Sequence, residues 1–166
     1  MLIDFGFQTI ISRNVSYLWS GANSVKSEGF ELATSENSTL NIPYFSKVLS
    51  TVKFIYTSMG IIIFILFSIF GTWYMFNINS GQIDIKTMLI AWIFYMFSIV
   101  FYINFSYWNS ILKGIGAIKT YNQILVVTKL TQLIISVVLL FLGYGLIGVS
   151  VAYFISVIVN RLLQSF

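Results

Sequence analysis

Seven side chains in this sequence have the type and spacing to contact a polar ligand: Arg13, Tyr95, Ser98, Tyr102, Asn109, Lys129 and Gln132. Arg13 belongs to residues 6–20, where apolar Phe7, Ile10, Ile11, Val15, Leu18 and Trp19 alternate at helical spacing with Gln8, Thr9, Ser12, Arg13 and Ser16. Ala91, Tyr95, Ser98, Tyr102 and Asn109 follow one another by four, three, four and seven residues, which stacks them on one helix face. Their hydroxyls, rings and amide suit hydrogen bonding and stacking on a sugar, and they equally suit a polar seam between helices. Lys129, Gln132 and Ser136 share a further face. An ionisable group in an apolar segment is costly to bury and so points to function, whereas a lysine near a helix end can carry its amine to the headgroups.

This chemistry is binding rather than bond-making. The chain has no His and no Cys, which removes imidazole bases, thiol nucleophiles, disulfides and the usual zinc ligands. Of five acids, Asp4, Glu28, Glu31 and Glu36 precede the first long apolar run, and only Asp84 follows it. Neither a carboxylate pair nor a metal or organic cofactor is expected, and the chain does not read as an enzyme. The nine Lys and Arg are scattered singly between apolar runs instead of forming a patch, so nucleic acid is not an expected partner.

The elements that must position these residues are set by composition. With 58% hydrophobic and 8% charged residues and a mean hydropathy of +0.89, the charged side chains are too few to cover a water-soluble surface. Lipid covers it instead, and the expected fold is all-α: a polytopic transmembrane helix bundle with about four full spans and a partial N-terminal helix. Charge-free runs at 54–76, 87–112 and 130–160 place the spans at about 54–76, 87–112, 124–142 (with Lys129 near its start) and 146–163, lengths that suit a core about 30 Å thick at 1.5 Å per residue. Gly143-Tyr144-Gly145 divides the last two. Residues 5–21 are too short to cross, and they read either as half of a spanning helix with a wet face or as an amphipathic helix lying in the interface. A polar cytoplasmic loop of about 22–46 follows, with Pro43 just before the next helix. Thr57, Gly60, Ser68 and Gly71, and likewise Gly148, Ala152 and Ser156, are small residues spaced for close helix packing.

Basic residues orient the spans. If residues before the first span are cytoplasmic, eight of the nine Lys and Arg fall inside and only Lys86 outside. Trp73, Tyr74 and Tyr144 then mark the outer boundary, and Trp19, Tyr107, Trp108 and Tyr121 the inner one. In intact cells a membrane-impermeant thiol reagent is expected to label Ser80→Cys and to spare Thr120→Cys. The reverse pattern would overturn this topology.

Three stretches carry a family resemblance: Asp4-Phe5-Gly6-Phe7 followed by Arg13 and Tyr17, Tyr107-Trp108 through Gly114-Ile115-Gly116, and GYGLIGVSVAYFIS from Gly143 to Ser156. They resemble the polysaccharide biosynthesis flippases, the O-antigen and capsule repeat-unit translocases of the multidrug/oligosaccharidyl-lipid/polysaccharide exporter superfamily. The resemblance implies a bacterial plasma-membrane carrier of about twelve or more helices in two lobes, moving undecaprenyl-pyrophosphate-linked oligosaccharides by alternating access. Other polysaccharide assembly proteins are then partners. It favours the half-helix reading of residues 6–20 and assigns Arg13 to the pyrophosphate. The chain would correspond to most of one lobe, a fragment that inserts but does not translocate alone. Competing readings are a drug or cation antiporter of the same superfamily, which would be expected to bury acids that these spans lack, a multispanning glycan enzyme, and an inactive remnant.

Overall fold

The computed structural model describes residues 6–20, 24–26, 29–31, 42–79, 81 and 83–165. Asp4, Phe5, Glu28, Glu36 and Ser80, named above, lie outside these residues. The fold is the expected all-α one, a transmembrane helix bundle. Helix α1 spans Phe7–Trp19, α2 Ile42–Leu66, α3 Thr72–Ile78, α4 Ile85–Phe105, α5 Tyr107–Gly114, α6 Ile118–Phe141 and α7 Gly145–Ser165. A π-helical turn, Phe67–Gly71, joins α2 to α3, and α4 runs into α5 through Ser106. Four continuous helical runs result, Ile42–Ile78, Ile85–Gly114, Ile118–Phe141 and Gly145–Gln164, and each is long and apolar enough to cross a membrane. The chain is a membrane protein.

Several sequence-based boundaries move. The region expected to be a loop over 22–46 contains a small antiparallel hairpin, β1 Ser24–Lys26 paired with β2 Gly29–Glu31, and its last residues already belong to α2. Pro43 is the second residue of that helix, within the first turn, where its missing N–H has no intrahelical acceptor to lose. Helix α6 begins at Ile118, before the expected 124, with no Gly or Pro between Ile118 and Ile124 to stop the helix from extending beyond the apolar run. The two turns that separate spans have the same construction. Gly116 (φ 80°) and Gly143 (φ 84°) adopt the left-handed conformation after α5 and α6, and the next residue's N–H reaches back to Leu112 O and Leu139 O, respectively.

The chain forms two compact units, Met1–Tyr56 with Ser106–Asn122, and Thr57–Phe105 with Gln123–Phe166. In the first, α1 packs on α5. Ile11, Val15 and Leu18 are buried, and Gly114 lies so close to α1 that a methyl there would stand 2.6 Å from Val15 Cβ and 2.7 Å from Ser12 O. Tyr107 is buried beside Tyr56, with ring centroids 6.4 Å apart.

In the second unit α4 packs along α7 through Phe94, Phe101 and Phe154, whose rings meet edge-on. Ala152 and Ser156 are fully covered, and Gly148 abuts Leu139 Cβ, as expected for a seam of small residues. The other small stripe also packs. Gly60 faces Asn104, Gly71 faces the Trp92 ring, and Ser68 Oγ donates to Met96 Sδ at 3.5 Å. Helix α6 is tied to α7 by a polar chain in which Gln164 Nε2 donates to Asn160 Oδ1, Asn160 Nδ2 to Thr128 Oγ1, and Thr128 Oγ1 to Ile124 O. Elsewhere α6 exposes Leu130, Leu133, Ile134, Val138 and Phe141, a surface that only lipid or protein can cover.

Candidate functional site

Arg13 and Asn109 fall in the first unit, and Tyr95, Ser98, Tyr102, Lys129 and Gln132 in the second. The stripe read from 91 to 109 is therefore divided between the two units. Helix α4 ends at Phe105, and Asn109 belongs to α5, where it is buried with its backbone N–H on Ser106 O.

Within α4 the remaining members split by size. Ala91 and Ser98 are buried at 2% and 0% exposure, while Tyr95 and Tyr102 remain 41% and 42% exposed. Ser98 Oγ donates to Phe94 O at 2.6 Å, and the residue is fully buried and does not line the cavity described below. Tyr95 has a different setting. Its ring lies 5.6 Å from that of Tyr153 on α7 and 6.3 Å from that of Trp92 on its own helix.

These three rings, with Gln132 of α6, Ser150 of α7 and Met75 of α3, line a cavity of about 460 Å³. Trp92 is fixed from behind: it stacks on Phe67 at 5.8 Å, and its Nε1–H donates to Thr72 Oγ1 at 3.1 Å. The π turn places Phe67 and Gly71 against this indole, and Gly71 is required there because any side chain would overlap the ring. Ser150 Oγ donates to Leu146 O at 3.1 Å, leaving its lone pairs as acceptors. The cavity thus has aromatic faces on α4 and α7 and an amide on α6, a combination suited to a ligand with C–H faces and hydroxyl edges.

Lys129 stands at the edge of this cavity. Its Nζ donates to Gln132 Oε1 at 3.1 Å and lies 5.9 Å from the Tyr153 ring centre. It is exposed, the twelfth of 24 residues in α6, and its amine bonds to Gln132, one turn farther from the Ile118 end.

Arg13 occupies the exposed side of α1, opposite buried Ile11, Val15 and Leu18. Its Nε–H donates to Tyr17 Oη at 2.7 Å, one turn on, and its guanidinium stands 5.5 Å from that ring's centre. In the same unit Lys113 Nζ donates to Gln8 Oε1 at 3.4 Å and lies 4.4 Å from the Tyr121 ring centre.

Sequence spacing missed Trp92 and Tyr153. Trp92 is one residue from Ala91, about 100° around the helix from the stripe. The usable signal was the Trp92, Tyr95 pair at i, i+3, which can present two rings to one ligand. Among the described residues no cluster of three His, Cys, Asp or Glu exists that could hold a metal ion. No family model, curated protein or solved structure matches this chain.

Proposed function

We propose that this chain is a flippase-like membrane carrier, or a lobe of one, that moves lipid-linked oligosaccharide units across the bacterial plasma membrane for surface polysaccharide assembly. The observation that supports this most is the cavity bounded by Trp92, Tyr95, Tyr153 and Gln132, which offers rings and an amide between helices long enough to span a bilayer. Aromatic faces take the C–H surfaces of sugar rings, and a glutamine both donates and accepts toward hydroxyls. The stretches Asp4-Phe5-Gly6-Phe7 to Tyr17, Tyr107 to Gly116 and Gly143 to Ser156 add the flippase resemblance. The spans carry no Asp or Glu, in keeping with a carrier for sugars rather than for cationic drugs.

The test is binding. In lipid nanodiscs the purified chain is expected to bind a polyprenyl-pyrophosphate-linked oligosaccharide saturably. Tyr95→Ala should weaken that binding about ten-fold, the loss of one stacking face. Ser98→Ala should leave it unchanged, since that hydroxyl bonds only its own helix. Binding of lipophilic cations in place of the oligosaccharide, or equal effects of the two substitutions, would reject the carrier reading.

A further inference from the structure

The walls of the ring-lined cavity change character along its depth. Counted from Ile78, Ile85, Phe141 and Gly145, the helix ends on one side of the bundle, Leu146 is one residue in, Met75 three and Val149 four, or about 2–6 Å at 1.5 Å per residue. Trp92 is seven residues in, Tyr153 eight, Gln132 nine and Tyr95 ten, or about 10–15 Å. The cavity is therefore aliphatic near the helix ends and aromatic and polar farther in. A bilayer has the opposite order, with headgroups outside and hydrocarbon within, so a lipid in its usual orientation does not match these walls.

A volume of about 460 Å³ is within the roughly 300–1,000 Å³ of small-ligand sites. The polar groups of the inner part are already partly committed. Trp92 Nε1–H is held by Thr72 Oγ1, so the indole contributes its face alone. Gln132 Oε1 accepts from Lys129 Nζ, which leaves its NH₂ to donate, and Ser150 Oγ donates to Leu146 O, which leaves it to accept. With the Tyr95 and Tyr153 hydroxyls these groups can pair the ring hydroxyls of one sugar. At the aliphatic end, Met75, Leu146 and Val149 offer methyl, methylene and thioether groups, and a hydroxyl directed there would lose its water without gaining a side-chain partner.

We propose that this cavity is a subsite for a 6-deoxy sugar, whose ring stacks on Trp92, Tyr95 and Tyr153 and whose methyl group packs against Met75, Leu146 and Val149. The proposal rests on the carrier reading and narrows its substrate class to oligosaccharide units that contain a deoxyhexose. A hexopyranose has C–H faces for the rings, hydroxyls for Gln132 and Ser150, and one exocyclic carbon that projects beyond both. With a hydroxyl on that carbon the aliphatic end is mismatched, and with hydrogen in its place the match extends over the whole cavity.

The test uses the whole chain in lipid nanodiscs with two glycosides that differ only at C6, methyl α-L-fucopyranoside and methyl α-L-galactopyranoside, and with methyl N-acetyl-α-D-galactosaminide as a third probe. Binding is read by saturation-transfer NMR. Wild type is expected to bind the fucoside about ten-fold more tightly than the galactoside, and the C6 methyl protons should receive more saturation than the ring protons. Val149→Thr puts a hydroxyl where a methyl stood at nearly constant size. It should raise affinity for the galactoside and lower it for the fucoside, a gain that misfolding cannot imitate. Equal binding of the two glycosides by wild type, binding of neither, or a preference that Val149→Thr leaves unchanged would overturn the proposal. Tighter binding of the N-acetyl glycoside than of the fucoside would assign the aliphatic end to an acetamido methyl and overturn it as well. Failure of the deoxy preference alongside Tyr95-dependent binding of a lipid-linked oligosaccharide removes this inference alone, whereas loss of all sugar binding removes the carrier reading and this inference with it.

Discussion

Gly114→Leu is expected to separate α1 from α5 and to leave the first unit without a core. The approach at this glycine is the closest in that unit: an added methyl would meet Val15 Cβ and Cγ1 at 2.6 Å and Ser12 O at 2.7 Å. Val15 is fully buried and Leu18 nearly so, and both lose their cover if the helices part. Gly114→Ala already forces a backbone shift, at a cost of about 1–3 kcal/mol for overpacking. Leu has no rotamer that clears the Ser12 carbonyl, so its effect is larger. Hydrogen exchange in nanodiscs reads the result directly. Amides of α1 should lose protection in Gly114→Leu while those of α7 keep theirs, because α7 belongs to the other unit. Adding Val15→Ala to Gly114→Ala removes one obstructing carbon but leaves Val15's Cβ position and the Ser12 carbonyl, so only part of the protection should return. Wild-type protection of α1 in Gly114→Leu would show that the two helices do not depend on this contact.

How much of this was legible in the sequence depends on what each signal measures. Charge-free length reports the solvent, so the existence of four long apolar helices and the Gly143 turn was readable, while the helix bounds were not: the first begins at Ile42 and the third at Ile118. Ile118 to Gln123 is polar enough to end a span but not to end a helix. Angular spacing reports which residues share a face, and it did place Ala91, Tyr95, Ser98 and Tyr102 together. It carries no information on depth. Ser98 is buried in the packing of the unit, while Ala91 and Tyr95 on the same face line the cavity.

The cavity itself needed tertiary structure, because its walls come from α3, α4, α6 and α7. Trp92 and Tyr153 are 61 residues apart in the chain and no local pattern joins them. The small residues were more transparent. Gly60, Gly71 and Gly148 each abut a larger side chain, since in lipid close approach and dispersion contribute what hydrophobic exclusion contributes in water.

Arg13→Gln is expected to cost most of the affinity for a pyrophosphate-linked oligosaccharide, about ten-fold or more, while Arg13→Lys keeps a part of it. Arg13 lies on the exposed side of α1, whose opposite side is fixed to α5 through Ile11, Val15 and Leu18, so the backbone carrying it is held in place. The Nε–H bond to Tyr17 Oη at 2.7 Å commits one edge of the guanidinium and restrains the long side chain, which lowers the entropy lost when an anion binds. A guanidinium restrained in this way presents its terminal N–H groups as a fork that matches two phosphate oxygens, whereas a lysine offers the charge without the fork. Tyr17→Phe separates restraint from charge: the ring under the guanidinium stays, the Nε acceptor is lost, and affinity should fall less than in Arg13→Gln. Because the residue is exposed, its attraction is screened, and the gap between wild type and Arg13→Gln should narrow as salt is raised from low to physiological strength. The measurement is binding of the lipid-linked oligosaccharide to each variant in nanodiscs at two salt concentrations, scaled to the amount of inserted protein. Equal affinity of Arg13→Gln and wild type at low salt would leave Arg13 only its part in setting topology.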